Sequence, residues 1–236
     1  MNELELKKYE VKMGEHTIYL HDLKSSNTLD FVIREAMVGD EYKTNNINFK
    51  DGDVVLDIGA NVGAISIMLA KKYPFIKIYS YEAHPVNYQS LLKNIEENNV
   101  SNIEAFNYAV YSIDDDLINI SLSYTNTGGS NSFIDPKSRP DIYSLEHSNI
   151  EVPTISLDSI IKNNNIEKIK LLKMDCEGAE FDIFEHSKLI GEQTLVENMG
   201  VEIHSFMEDD FGKSRQALIN YLHGISKNPP IIKISG

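Results

Sequence analysis

The apolar positions of this chain change period in a regular order. Val54-Val55-Leu56-Asp57-Ile58 is a short, nearly continuous apolar run that reads as a strand buried on both faces. Directly after it, Val62, Ile65, Met68 and Leu69 recur at helical spacing and predict a helix with one apolar stripe against a sheet. Ile76 to Tyr81 alternates as a second strand. His84-Pro85 then opens a helix whose stripe is Tyr88, Leu91, Leu92 and Ile95, and Asn98-Asn99 stops it. The same alternation continues through strands at Ile103–Tyr108 and Leu117–Leu122, a short strand and turn into a small helix over Val152–Asp158, and strands at Lys170–Met174 and Met199–His204. A helix around Phe181, Ile183 and Phe184 precedes the last of these, and another near Gln216–Leu222, stopped by Gly224, follows it. Strands alternating with helices predict an α/β fold: a mostly parallel central sheet with helices on both faces.

Two stretches stand outside that rhythm. In residues 1–50, Tyr9–Val11 and His16–Leu20 form a hairpin pattern across Met13-Gly14-Glu15. A helical stretch then opens at Asn27-Thr28-Leu29-Asp30, with Leu29, Val32, Ile33 and Ala36 on one face. Residues 123–150 are polar, glycine-bearing and followed by Pro136 and Pro140. A loop of this length is uncommon in a compact domain unless it is functional or disordered, and its place predicts an acceptor-binding lid, beside the plainer reading of surface disorder. The expected organisation is one domain over 1–236: an N-terminal arm over the site (1–50), a cofactor-binding half (51–122), the acceptor loop (123–150) and a catalytic half (151–236).

Composition narrows the class. At 236 residues, one substantial core is expected. The net charge of -14, from 22 basic against 36 acidic residues, argues against a nucleic-acid partner, whose phosphates need lysine and arginine. No apolar run approaches the roughly 18 residues of a membrane helix, and the first residues lack the apolar core of a signal peptide, so the expectation is a cytoplasmic protein without membrane insertion. Cys176 is the only cysteine; it forms no intramolecular disulfide and no thiolate cluster, and reads as packing.

The turn after the first central strand carries the candidate chemistry. Gly59 and Gly63 permit a sharp turn and a close helix start, but the order Gly59-Ala60-Asn61-Val62-Gly63 places Asn61 where a dinucleotide fingerprint has its second glycine. Asp57, two residues earlier, would repel a pyrophosphate and attract an ammonium or sulfonium group. That favours S-adenosylmethionine, with a turn cap as the plainer role for Asp57. Glu82 ends the second strand, where an acid can accept both ribose hydroxyls of a nucleoside.

Three motifs carry a resemblance: Val55-Leu56-Asp57-Ile58-Gly59-Ala60-Asn61-Val62-Gly63, Tyr81-Glu82-Ala83-His84-Pro85, and Lys173-Met174-Asp175-Cys176-Glu177-Gly178-Ala179-Glu180. Together, over roughly residues 40 to 205, they resemble the FkbM family of S-adenosylmethionine-dependent O-methyltransferases. The resemblance implies a Rossmann-like class I methyltransferase fold, an N-terminal segment with Glu41-Tyr42 packed over the cofactor, beside the plainer reading of an arm that covers a sheet edge, and adenine contact at Ala109-Val110, residues that equally suit a core. It also implies a small-molecule hydroxyl acceptor: a sugar, including nucleotide-linked and polysaccharide-precursor sugars, or a polyketide-type natural product. A sugar is the favoured expectation, with Lys137 and Arg139 as a local basic patch if it is nucleotide-linked. The class I sheet usually closes with two more strands, and only Ile231–Ser235 is left to supply one.

Ligands of open α/β sheets lie outside the carboxyl ends of the strands, which here are Asp57, Glu82, Ala109, Asp175 and His204. The expected cofactor residues are Asp57, Gly59, Asn61, Gly63, Glu82, Ala109 and Asp175. The expected catalytic residues are His204 as base and Asp175 orienting the acceptor or His204, with Glu177 and Glu180 doing similar work or starting a helix. A less favoured arrangement uses Asp175, Glu202 and His204 to hold a divalent cation such as magnesium. Two readings come from other classes: a nicotinamide-dependent oxidoreductase, which Asn61 disfavours, and a non-catalytic cofactor-binding module.

Overall fold

The computed structural model describes residues 5–122, 148–204 and 215–235. The expected lid residues 123–147, Lys137 and Arg139 among them, lie outside the described residues.

A hairpin opens the chain, β1 (Leu6–Met13) pairing antiparallel with β2 (His16–Leu23) so that Met13 faces His16 across Gly14-Glu15. Gly14 takes a φ of 60°, which a tight hairpin turn needs. Next, α1 (Thr28–Val32) widens into a π-helical turn over Ile33–Val38.

The central sheet is formed by β3 (Val54–Ile58), β4 (Lys77–Tyr81), β5 (Ile103–Phe106), β9 (Lys168–Met174), β10 (Leu195–His204) and β11 (Ile231–Ser235), all parallel, in the order β11-β10-β9-β3-β4-β5. Numbered among themselves, these six strands run 3-2-1-4-5-6, the Rossmann order, and direction of winding reverses between β3 and β9. Ile231–Ser235 therefore supplies the further strand expected of it, paired in parallel with β10.

Alternate residues of each strand serve opposite faces. Val55, Ile78 and Leu171 join one core with α2 (Ala64–Lys72) and the N-terminal arm. Leu56, Tyr79 and Leu172 join the other with α4 (Leu157–Asn163), α5 (Glu180–His186) and α6 (Arg215–Ile225).

Several expectations are revised. Residues 64–70 of α2 are buried on every side rather than along one stripe, because β2 and the arm cover the helix face turned away from the sheet. The buried face of α3 (Pro85–Glu97) is Asn87, Ser90, Leu91 and Asn94, and Leu92 is exposed. The reason is polar. Asn94 Oδ1 accepts from the His21 N–H (2.7 Å) and its Nδ2 donates to the His21 carbonyl (3.1 Å). Asn98 makes the same pair of bonds with Tyr19 (3.0 and 2.6 Å), so two asparagines on successive helical turns dock the open edge of β2.

The strand expected to run to Tyr108 stops at Phe106. Ala109 lies instead on β6 (Ala109–Tyr111), in a side sheet ordered β6-β8-β7 with β7 (Leu117–Leu122) and β8 (Ser148–Ser156), so the last residues of the expected loop are strand. Finally, α6 runs through Gly224 to Ile225, since a helix tolerates a glycine near its end.

Candidate active site

A cavity of about 620 Å³ opens at the carboxyl ends of β3, β4 and β9, at the point where the winding reverses. The arm closes one side of it with Thr28, Phe31, Glu35 and Tyr42, and the side sheet closes another with Ala109, Val110 and Ile120.

The glycine turn is built to bring two strand ends together. Gly59 has a φ of 73°, and a Cβ there would stand 1.8 Å from the Asp175 carbonyl oxygen, so only glycine lets β3 and β9 finish side by side. The Gly59 and Ala60 amides both donate to the Tyr81 carbonyl (3.0 Å each). Asn61 takes a left-handed φ of 53°, where asparagine is tolerated. Gly63, φ 83°, begins α2, and a Cβ there would meet the Leu91 side chain at 2.2 Å. Gly59 and Asn61 line the cavity. Gly63 does not, and its role is the close helix start.

Asp57 departs from the expectation of a ligand-facing carboxylate. It is 1% exposed and does not line the cavity. Its Oδ2 accepts from Ser66 Oγ (2.6 Å), and its Oδ1 lies 3.2 Å from Lys173 Nζ. Lys173 also donates to the Gly59 carbonyl (2.5 Å). Burial alone would lower the Lys173 pKa, but Asp57, Tyr42 and Asp175 hold it above the ordinary lysine range. A cation from the chain itself therefore occupies the place where a cofactor's ammonium was expected. The signal was present in the sequence: a lysine inside the apolar run of a central strand requires a buried partner.

Glu82 does reach the cavity wall. Its Oε2 accepts from the Asn61 N–H (2.7 Å) and its Oε1 from the His84 N–H (2.8 Å). Burial still pushes its pKa up to about 7. His84 caps α3 through Nδ1, and burial lowers its pKa to about 4, so the imidazole is neutral at pH 7. Ala109 and Val110 form an apolar patch of the wall beside Glu82.

The reacting side converges differently from expectation. Asp175 and Glu177 line the cavity, and His204 does not. His204 is 4% exposed, with Nδ1 3.1 Å from Glu180 Oε1, Nε2 3.5 Å from Glu177 Oε2 and 3.9 Å from Asp175 Oδ1. Burial opposes charge on this ring, but Glu180, Glu177 and Asp175 prevail and push its pKa up to about 10. It therefore carries its proton at neutral pH, and the geometry does not present it as a free base. Glu180, fully buried, is held below the usual carboxylate range by His204 against the effect of burial.

Glu202 turns away from this group, toward Lys233 Nζ (3.3 Å) and the Ser235 hydroxyl. The expected cation set of Asp175, Glu202 and His204 is therefore not assembled. Glu177 stands where Glu202 was expected, with a carboxylate oxygen of Asp175, one of Glu177 and a ring nitrogen of His204 within 4.8 Å of one another. Cys176 is half-buried, and its burial raises the thiol pKa well above the usual range, consistent with packing.

A family model described as the methyltransferase FkbM domain matches residues 57–226. The chain belongs to the FkbM methyltransferase family. It is similar to Methyltransferase 1 of Beauveria bassiana (strain ARSEF 2860), 24% identical over 168 residues, a match spanning 66% of each chain. It is also similar to Methyltransferase sdnD of Sordaria araneosa, 26% identical over 198 residues and 73% of each chain. A shorter match, 28% identical over 71 residues, covers 30% of this chain and 27% of the 31-O-demethyl-FK506 methyltransferase FkbM of Streptomyces tacrolimicus.

In this FkbM-family chain all three motifs fall at the cavity or directly behind it. The first supplies its turn, the second its Glu82 wall and the third its carboxylates. Tyr42, on the opposite wall, packs its ring so closely on β10 that a Cβ at Gly200 would lie 2.6 Å from it. Among the described residues, no helix is long and apolar enough to cross a membrane.

Proposed function

We propose that this protein transfers a methyl group from S-adenosylmethionine to a hydroxyl oxygen of a small molecule, most readily a sugar. The observation that carries the reading is Glu82. Its carboxylate is clamped by the Asn61 and His84 amides at the end of β4, next to the Rossmann crossover, and Glu82 lines a cavity of about 620 Å³, within the range of small-molecule sites. The residues present fit the cofactor in kind. Glu82 offers acceptors to ribose hydroxyls, Ala109 and Val110 offer an apolar surface to a purine, and the Gly59–Asn61 turn adjoins Asp175 where the methionine part would lie. Asp57 and Gly63 support this turn from behind it. The cofactor supplies an electrophilic methyl group on a cationic sulfur. The chain supplies alignment of the acceptor, exclusion of water and removal of its proton.

A polyol suits the remaining wall, where Asn27, Thr28, Glu35, Glu41 and Glu177 offer hydrogen-bonding groups. Lys233 on that wall is shared by Glu41 (3.0 Å), Glu202 (3.3 Å) and Glu35 (3.8 Å). A nucleotide-linked sugar would call for a basic patch, for which Lys137 and Arg139 outside the described residues are the candidates, or an added cation to receive its phosphates. The similarity to the 31-O-demethyl-FK506 methyltransferase of Streptomyces tacrolimicus supports O-methylation of a polyketide-type natural product as the second reading.

A thermal-shift titration with S-adenosylhomocysteine and, separately, NADH tests the cofactor. Ligand at 100 times its dissociation constant adds about 2.7 kcal/mol of stability. A shift with S-adenosylhomocysteine alone supports the reading, and methyl glycosides are then screened for S-adenosylhomocysteine release with and without magnesium. A shift with NADH alone, or with neither, overturns it in favour of an oxidoreductase or a non-catalytic module.

A further inference from the structure

Glu177 is an unusual residue on the cavity wall. Its φ is 54°, in the left-handed region, and Gly178 follows at 108°. The described non-glycine residues with positive φ are otherwise asparagines and aspartates, which tolerate it, and the exposed Lys43. The conformation is imposed by Glu180, whose Oε1 accepts from the Cys176 N–H (3.1 Å) and the Gly178 N–H (3.4 Å) on either side of Glu177. The same Glu180 oxygen receives His204 Nδ1, and His204 Nε2 reaches forward to Glu177 Oε2. A chain of contacts, Glu180 to His204 to Glu177, thus runs from the fully buried interior to the cavity, and its last member is the one that lines the cavity. Backbone held in a sparsely populated region by its surroundings is a hallmark of functional sites.

We infer that Glu177 is the catalytic base that takes the proton of the acceptor hydroxyl, with His204 and Glu180 as positioning residues behind it. The inference rests on the methyl-transfer reading above. The acceptor O–H bond breaks and its proton passes to the Glu177 carboxylate. The freed electron pair on oxygen forms the bond to the methyl carbon of the sulfonium donor, and the carbon–sulfur pair stays on sulfur, leaving a neutral thioether. Glu177 afterwards releases the proton to water.

The charged surroundings suit this task. Burial pushes the Glu177 pKa up to about 8; His204 opposes that rise, and Asp175, Glu180 and Glu202 add to it. A base is most effective when its pKa lies near the working pH. Asp175, the other carboxylate of the group, follows β9 with its backbone locked to β3, its N–H donating to the Ile58 carbonyl (3.0 Å); burial raises its pKa too, and the Lys173 charge opposes that rise.

The test compares the wild-type protein with Glu177→Gln and Glu177→Asp, using S-adenosylhomocysteine binding by calorimetry, S-adenosylhomocysteine release with a panel of methyl glycosides as acceptors, and carbon-13 NMR of labelled glutamate carboxyls. Expected are binding within about threefold of wild type, a kcat at least ~100-fold lower in Glu177→Gln with little change in KM, and partial rescue in Glu177→Asp. The wild-type rate rises with pH as Glu177 ionises near 8, a limb absent from Glu177→Gln. The carboxyl resonance missing from that variant titrates at the same pH. A Glu177→Gln protein that binds S-adenosylhomocysteine and keeps kcat within about threefold overturns the assignment, as does a rising limb that disappears with Asp175→Asn instead. A wild-type protein that binds no S-adenosylhomocysteine overturns the methyl-transfer reading and this assignment with it.

Discussion

Asp57 and Lys173 are register partners on the adjacent parallel strands β3 and β9, and their charged atoms lie 3.2 Å apart beneath the glycine turn. Both are almost completely buried, and the pair joins the two strands at the crossover of the sheet. Ser66 of α2 and Ser80 of β4 extend it, Ser66 Oγ lying 2.6 Å from Asp57 Oδ2 and 2.8 Å from Ser80 Oγ. Removing one member leaves the other charge buried without compensation. Asp57→Asn and Lys173→Met are each expected to lose about 3–5 kcal/mol in urea unfolding, and the double variant to lose less than the sum of the two. Additive losses would show that the pair is not energetically coupled.

Gly59 and Gly63 differ in what a side chain would meet. At Gly59 a Cβ is opposed by the Asp175 backbone carbonyl, which cannot move without parting β3 from β9. At Gly63 it is opposed by the flexible end of Leu91. Both also have positive φ. Gly59→Ala is therefore expected to lower the thermal midpoint more than Gly63→Ala and to abolish S-adenosylhomocysteine binding. A parallel calorimetric comparison of the two variants checks the order.

The His204 cluster makes stability depend on pH. Its pKa is raised from 6.5 to about 10, so the folded state holds a proton that the unfolded chain gives up between those values. The stabilisation is fully present below about pH 6.5 and is lost as pH rises toward 10, at up to ~1.4 kcal/mol per pH unit. Glu177, raised from 4.5 to about 8, acts in the same direction between those values. Urea denaturation from pH 7 to 10 should show stability falling with pH in the wild type, and a shallower fall in His204→Gln. Equal slopes would show that this ring does not carry the proton.

Asn94 and Asn98 hold the N-terminal hairpin to α3 through bonds to the His21 and Tyr19 backbones. Replacing Asn94 with alanine leaves the buried His21 and Val62 carbonyls without that donor, and each unsatisfied group costs about 1–3 kcal/mol. Hydrogen exchange at the Tyr19 and His21 amides should accelerate in Asn98→Ala and Asn94→Ala, respectively. Unchanged exchange at both would mean that apolar packing of β2 is sufficient to hold the arm.

If the imidazolium's charge holds Asp175 and Glu177 together, no divalent cation is required there. Turnover is then expected to be unchanged by EDTA and by added magnesium. Loss of activity in EDTA, restored by a metal, would assign the trio to a cation instead.

The parts of the site that were legible in the sequence are those written locally. The apolar run of β3, the glycines after it and the helical spacing beyond them are decided within a dozen residues, because burial on two faces, a positive φ and a 3.6-residue period each leave a short-range mark. The alternation of strands and helices led from these marks to a parallel sheet, and so to Glu82 and Asp175 at strand ends. The tertiary structure decided what those residues face. Asp57 meets Lys173 only because β3 and β9 pair in one particular register across more than a hundred residues of chain. His204 is surrounded by carboxylates because β10 ends against α5. Glu177 reaches the cavity because Glu180 bends its backbone, and α2 is buried all round because a distant hairpin covers it. The sequence by itself determined the strand–turn–helix units and the strand ends at which a ligand would lie. Only the tertiary structure decided which charges are spent on one another and which remain turned to the cavity, since a buried charge takes its partner from neighbours in space.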